Sequence, residues 1–218
     1  MGHQRCCCGG DVLIWLGSQD PAAALPADPS WYATLKQTYE DMGLVVHFDA
    51  DYTSISNYSL VFIDTPYSAP SWWATATGGG WTGRICIVGE FSPGAASPGV
   101  ISWINSVSGA THGMTITAAI IDAIGLYDGT IETDALTAGL TTALLYGATS
   151  EVSGGTVLSK TEFTAQEWIH HNKVGTVDYV LSGDSNHLID DPGGGGLTGI
   201  TPGSDNERFA QNLYNVAV

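Results

Sequence analysis

The chain has 218 residues, 44% of them hydrophobic and 13% charged, and its 22 acidic side chains against 6 basic ones give a formal charge of −16. This length buries a sizeable core without staples, and the composition is that of a packed globule rather than a disordered chain. No apolar run is long enough to cross a bilayer, and a surface of this sign repels phosphate backbones and anionic lipid, so neither a membrane nor nucleic acid is an expected partner.

Residues 1–10 read as a Cys-rich arm ahead of one domain over 11–218. His3, Cys6, Cys7 and Cys8 stand in it. Adjacent cysteines point in alternating directions and lack the C-x-x-C spacing of structural zinc sites, so three readings stay open: a metal held with His3, disulfides to a neighbouring subunit, or reduced thiols on an arm docked against a partner. No apolar h-region precedes the cysteines, so no signal peptide is read. Synthesis in the cytoplasm is expected, with incorporation into a virion or another extracellular assembly.

Val12 to Leu16 is a continuous apolar run suited to a central parallel strand. Asp28 or Ser30 can cap a helix over Trp31 to Met42, which carries Leu35, Tyr39 and Met42 on one face and stops at Gly43. Strands follow at Leu44 to Phe48, Leu60 to Asp64 and Arg84 to Glu90, the last two joined through Trp72-Trp73 and Gly78-Gly79-Gly80. Val100, Trp103, Ile104 and Val107 recur at helical spacing within Pro98 to Val107. Residues 115–125 are apolar with a mixed signal. Beyond them Ala143 to Val152, Thr156 to Thr161, Glu167 to Asn172 and Thr176 to Leu181 read as antiparallel strands, with hairpin turns at Ser153-Gly154-Gly155 and Lys173-Val174-Gly175. A glycine-rich loop at Gly193 to Gly196 precedes a closing helix over Asp205 to Val216, capped by Ser204 or Asp205. The expected class is therefore α/β: a three-layer, flavodoxin-like, mainly parallel sheet with antiparallel additions in the C-terminal half.

Three of these strands end on carboxylates: Asp64, Glu90 and Asp184. In open α/β sheets the carboxyl ends of the strands line the ligand crevice, so the three could share one rim. Glu90 and Asp184 could then act as general acid and base on a glycosidic or ester bond, if their surroundings separate their pKa values. The opposing reading has the same carboxylates accept backbone N–H bonds and hold the crevice shut. Asp184, Asn186, Asp190 and Asp191 also form an oxygen-rich string like the opening of a Ca²⁺ loop, but the glycine and terminal glutamate of an EF-hand are not in place, and a turn gives the same string.

The order of several strings resembles the class I glutamine amidotransferase-like superfamily, and within it the ThuA-like and β-galactosidase trimerisation-type branches. These strings are Val12-Leu13-Ile14-Trp15, Ile63-Asp64-Thr65-Pro66, Arg84 to Glu90, Thr137-Ala138-Gly139-Leu140-Thr141, Gly183-Asp184-Ser185-Asn186, and Arg208-Phe209-Ala210-Gln211-Asn212-Leu213. The resemblance implies a flavodoxin-like fold over 11–218. It also implies a nucleophilic cysteine on a tight turn after the fourth strand, where this chain reads Val88-Gly89-Glu90-Phe91. Glutamine hydrolysis is thus not expected, and His187 is the nearest candidate for the missing base. The other cysteine, Cys86, falls inside an apolar strand and reads as a small core residue.

Trp31, Tyr32, Tyr67, Trp72, Trp73 and Trp81 lie in loops and crossovers, where aromatic rings serve interfaces, sugar stacking or ordinary packing. Arg5-Cys6-Cys7-Cys8-Gly9 further resembles the start of some phage tail-associated proteins. The function expected from these features is a non-catalytic subunit of a multimeric particle, a virion decoration or tail-type component that contacts itself or other subunits and needs no cofactor. The alternative is a carboxylate-dependent hydrolase or carbohydrate-binding domain that uses Asp64, Glu90 and Asp184.

Overall fold

A computed structural model describes residues 10–16, 29–49, 54–64, 67–89, 98–121, 127–141, 145–146, 149–184, 187–190 and 199–218. In chain order the first half holds β1 (Asp11–Trp15), α1 (Ala33–Asp41), β2 (Val46–Asp49), β3 (Tyr58–Asp64), α2 (Trp73–Thr75), β4 (Gly83–Val88), α3 (Pro98–Ser102) and α4 (Gly109–His112). The second half holds β5 (Thr115–Ile121), β6 (Tyr127–Asp128), β7 (Thr130–Ile131), β8 (Leu145–Tyr146), β9 (Thr149–Ser153), β10 (Thr156–Lys160), β11 (Glu167–Val174), β12 (Val177–Ser182) and α5 (Asp205–Asn215).

Eight strands form the main sheet in the order β2-β1-β3-β4-β12-β11-β10-β7. From β2 to β12 all pairs are parallel, and β11, β10 and β7 add antiparallel strands at one edge. Both faces of the parallel part are buried, and the middles of β1, β3, β4 and β12 are continuous apolar runs that suit this. Val12, Ile14, Leu60, Phe62, Cys86 and Val88 face one core with Leu35 and Tyr39 of α1 and Phe209 and Leu213 of α5. Leu13, Trp15, Val61, Ile63, Ile85 and Ile87 face the other, under Trp72, Trp73, Ala76, Val100, Trp103 and Ile104. This is the three-layer α/β arrangement that the sequence predicts.

Local chemistry fixes the helix boundaries. The Ser204 hydroxyl accepts the Glu207 N–H (3.1 Å) and the Glu207 carboxylate accepts the Gly203 N–H (2.6 Å), so Ser204, of the two residues expected, is the N-cap of α5. Asp205 and Glu207 add negative charge to its first turn. The crossover after β3 is helical, α2 running into a π-helical turn over Ala76–Gly80. The helix expected over Pro98 to Val107 passes from α3 through a π-helical turn, Trp103–Ser108, into α4.

Two differences from the sequence expectation matter for the site. β12 forms a two-residue hairpin with β11 as expected, but on its other side it pairs in parallel with β4 and so belongs to the centre of the sheet. Its six positions are all buried, which is what a central strand requires. Gly154 and Gly155, in turn, do not close a hairpin: β9 pairs with β5, and β10 pairs with β11 and β7. Both glycines have positive φ, 85° and 73°, and a Cβ on them would lie 2.3 Å from the Gly113 carbonyl oxygen and 2.5 Å from that of His171. Only glycine turns this corner, and the turn sends β9 back over the sheet.

Candidate functional site

The register of the sheet sets the relative positions of the strand-end carboxylates. Asp64 and Ser182 are both level with Val88 of the strand between them, so Asp184 lies two residues further out than Asp64 and two strands away. At about 4.8 Å per strand spacing the lateral separation is about 10 Å. Glu90 lies outside the described residues. Asp64 and Asp184 are both buried, at 5% and 0% exposure.

The ends of β4 and β12 are covered. The Gly183 N–H donates to the Trp168 carbonyl (2.8 Å), the Gly183 carbonyl accepts the Ser150 N–H (3.1 Å), and the Gly89 N–H donates to the Ser182 carbonyl (2.8 Å). A Cβ on Gly183 would stand 2.0 Å from the Ser150 carbonyl oxygen and 2.8 Å from Thr149 Oγ1, while one on Gly89 would meet Ile116 Cδ1 at 2.6 Å. The β5–β9 pair therefore sits directly on these strand ends, where an elbow nucleophile would need open space. The Ser182 hydroxyl donates to the Asp184 carbonyl (2.7 Å) and tightens the same turn.

His187 is also core. It is 1% exposed, with its ring edge-on to Trp168 at 5.2 Å and tilted to Phe209 at 6.0 Å. Burial pushes its pKa down to about 3, against a backbone hydrogen bond with Asp184, so it is neutral near pH 7. Asp190 accepts the Thr34 N–H (2.8 Å) at the start of α1 and donates its own N–H to the Trp31 carbonyl (2.6 Å), which makes it a helix cap supplied from a distant segment. Asn186, Asp191, His3, Cys6, Cys7 and Cys8 lie outside the described residues. Among the described residues no group of three or more His, Cys, Asp or Glu side chains is placed to hold a metal ion.

Cys86 is buried in β4, and burial pushes its thiol pKa well up, so it packs as a small neutral core residue. Tyr32, Trp72, Trp73 and Trp81 are buried as well, which removes them from sugar stacking; Tyr67 is exposed. Among the described residues no helix is long and apolar enough to cross a membrane.

The most organised polar cluster was not foreseen from the sequence. Arg84, at the start of β4, is 1% exposed; its Nε and Nη2 both lie 2.7 Å from Asp178 Oδ2, opposite it on β12. Its Nη1 donates to the Leu213 and Val216 carbonyls, so the same guanidinium caps the C-terminal end of α5. Asp178 Oδ1 lies 3.5 Å from His171 Nδ1, and His171 Nε2 lies 3.1 Å from Asp134 Oδ2. Asp178 first, and Asp134 after it, raise the His171 pKa above the ordinary value against partial burial. Burial works to raise the Asp178 carboxyl, but His171 and Arg84 outweigh it and hold it low. One signal for this network was legible: an arginine inside an apolar strand of a chain with six basic residues must find a buried carboxylate. The cluster lies at the N-terminal ends of β4 and β12, opposite the rim.

At the antiparallel edge of the sheet, residues 129–134 and 137–141 line an open cleft of about 630 Å³. Glu132, Asp134 and several threonines stand along it. Glu132 pairs with Lys160 (2.8 Å), and the Asn212 side chain holds the Leu136 and Ala138 carbonyls (2.9 and 3.0 Å).

No family model and no curated protein matches this chain. Solved structures do. The chain is similar to cytoplasmic protein STM1381 from Salmonella typhimurium LT2 at a TM-score of 0.64 and 7% identity, over 95% of this chain and 100% of that one. It is similar to a ThuA-like protein from Parabacteroides merdae ATCC 43184 at 0.52 and 10%, over 94% and 90% of the two chains. A β-galactosidase from Rahnella sp. R3 matches at 0.54 and 17%, over 80% of this chain but 28% of the enzyme, so the chain spans less than a third of that protein. At these identities the likeness is one of fold alone, and it bears out the α/β, flavodoxin-like architecture.

Proposed function

We propose that the protein is a non-catalytic assembly subunit of a multimeric particle, of the virion decoration or tail type, on a ThuA-like fold whose strand-end crevice has been given over to packing. The seating of β9 on Gly183 carries this reading. Backbone occupies the space over β4 and β12, His187 is buried and neutral, and Asp64 is neither level with Asp184 nor next to it. A hydrolase would need two carboxylates and a substrate together in an open crevice. The match to a minor part of a β-galactosidase is consistent with a fold that serves as a module beside other domains. Phage association rests on the likeness of Arg5-Cys6-Cys7-Cys8-Gly9 to tail-associated proteins, and the arm with His3, Cys6, Cys7 and Cys8 is the segment assigned to a neighbouring subunit.

Sedimentation velocity of the full chain at rising concentration, in low and high salt, tests the proposal. The expected result is a species several times heavier than the 22.8 kDa chain, and more of it in high salt, because the charge of −16 opposes self-association until it is screened. Replacing Cys6, Cys7 and Cys8 together with serine should weaken the assembly. A 22.8 kDa species under every condition would overturn the proposal.

A further inference from the structure

His171 sits between two carboxylates, one on each ring nitrogen. Nε2 is 3.1 Å from Asp134 Oδ2 in the wall of the edge cleft, and Nδ1 is 3.5 Å from Asp178 Oδ1 in the central sheet. A neutral imidazole carries one N–H and can satisfy one of them; against the other it turns a lone pair toward a carboxylate. Only the imidazolium serves both. We propose that His171 is a proton-operated latch: as a cation it ties the Asp134 turn of the cleft wall to β12, and on losing its proton it lets that turn go.

The two carboxylates are held unequally, which decides the side that opens. Asp178 is buried and fixed by two contacts from Arg84, whose guanidinium is anchored on the end of α5. Asp134 lies on a turn and is tied otherwise within that turn, its Oδ1 accepting the Leu136 N–H (2.8 Å) and its own N–H donating to Thr137 Oγ1 (2.9 Å). The buried Asp178 Oδ1 has no hydrogen-bond donor besides the nearby Nδ1, so the neutral ring keeps its N–H there and turns the Nε2 lone pair on Asp134, which is freed. The flanks stay anchored elsewhere: the Glu132 N–H donates to the Leu158 carbonyl (3.0 Å), Glu132 pairs with Lys160, and the Thr141 N–H donates to Asp205 (2.7 Å). Asn212 keeps the Leu136 and Ala138 carbonyls and Thr137 Oγ1 keeps the Glu132 carbonyl (2.6 Å), so the released piece is the Asp134 side of the turn, its carboxylate with the Leu136 N–H bonded to it.

The charged groups around His171 come from each neighbouring element. Asp134 faces it from the cleft wall and Asp178 from β12, with Arg84 of β4 behind Asp178. On β11 itself Lys173 lies two residues along on the same side and is exposed. On β10 the residue opposite is Thr156, which is uncharged. Two carboxylates against one fixed guanidinium favour the protonated ring, in keeping with its raised pKa.

The test is amide hydrogen exchange of the full chain on either side of the His171 titration, followed in the same sample by NMR of the imidazole. Corrected for the intrinsic pH dependence, protection of the Asp134 and Leu136 amides should fall roughly tenfold as His171 deprotonates, the order expected for a charge-assisted hydrogen bond at a half-buried site. The Glu132 amide should keep its protection. In His171→Gln the two amides should show low protection that no longer changes with pH. In Asp134→Asn, which keeps an oxygen for the Leu136 N–H, the imidazole midpoint should move down toward the ordinary histidine value; this arm stands even if His171→Gln does not fold. Equal protection on both sides of the titration, the same fall in His171→Gln, or an unmoved midpoint in Asp134→Asn would each overturn the latch.

Discussion

Replacing Gly183 with alanine puts a methyl group 2.0 Å from the Ser150 carbonyl oxygen and 2.8 Å from Thr149 Oγ1. Gly183 has no left-handed φ, so the whole penalty is steric. The nearest atom is backbone, in a strand that pairs with β5 and also bonds to Gly183 itself, so it cannot rotate away as a side-chain tip would. Overpacking of this kind costs about 1–3 kcal/mol, and the fixed backbone places Gly183→Ala at the upper end, near 3 kcal/mol. At roughly 2–4 °C per kcal/mol for a chain of this size, the expected fall in Tm is about 6–12 °C, read by circular dichroism and checked by urea denaturation. Gly78→Ala is the control: nothing lies within 4 Å of its added Cβ, and the change should be neutral or stabilising by a few tenths of a kcal/mol. A Gly183→Ala protein that melts with the wild type would refute the seating of β9 on β12, and with it the closed crevice.

Three further outcomes follow from the same structure. Arg84→Met leaves Asp178 buried with His171 as its remaining cation and removes the cap on α5, so it should cost about 3–5 kcal/mol in denaturant unfolding. Ser204→Ala removes the acceptor for the Glu207 N–H and should cost about 1 kcal/mol, with α5 amides near its start exchanging faster. In acid, His112 and His187 have folded pKa values pushed by burial down to about 4 and about 3, below the unfolded value near 6.5. The unfolded chain binds the extra protons between those limits, so stability should drop as pH falls below about 6.5, by about 1.4 kcal/mol per pH unit for each histidine. His187→Phe should remove one of those two protons from the slope. His171 acts with the opposite sign: its contribution is complete below about 6.5 and fades as pH rises through its raised folded value.

The parallel half of the fold is legible because most of its strands carry a continuous apolar run and the helix boundaries carry their own chemistry, as at Ser204 and Gly43. β12 was harder to place. Its apolar run and its hairpin to β11 are local signals, whereas its pairing with β4, more than 80 residues earlier, depends on how the layers stack. Gly154 and Gly155 look like a hairpin turn in sequence, and only the three-dimensional corner shows why both must be glycine. Asp64 closes β3 and Asp184 follows β12 by two residues, but register decides whether such carboxylates meet, and register is not written in any one strand. Asp190 and His187 read as ligand and base because sequence shows their chemistry and hides their burial. The Arg84, Asp178, His171 and Asp134 network spans four separate segments, and the charge imbalance made only its arginine conspicuous.

The closed crevice is tested most directly by amide exchange at Gly89, Ser150 and Gly183 in the wild-type protein. With β9 seated on the strand ends, these N–H groups, bonded to Ser182, Gly183 and Trp168, should exchange as slowly as those in the middle of β12. Exchange at loop-like rates at Ser150 and Gly183 would mean that the strand ends stand open, and would return Asp184 to the list of residues available for chemistry.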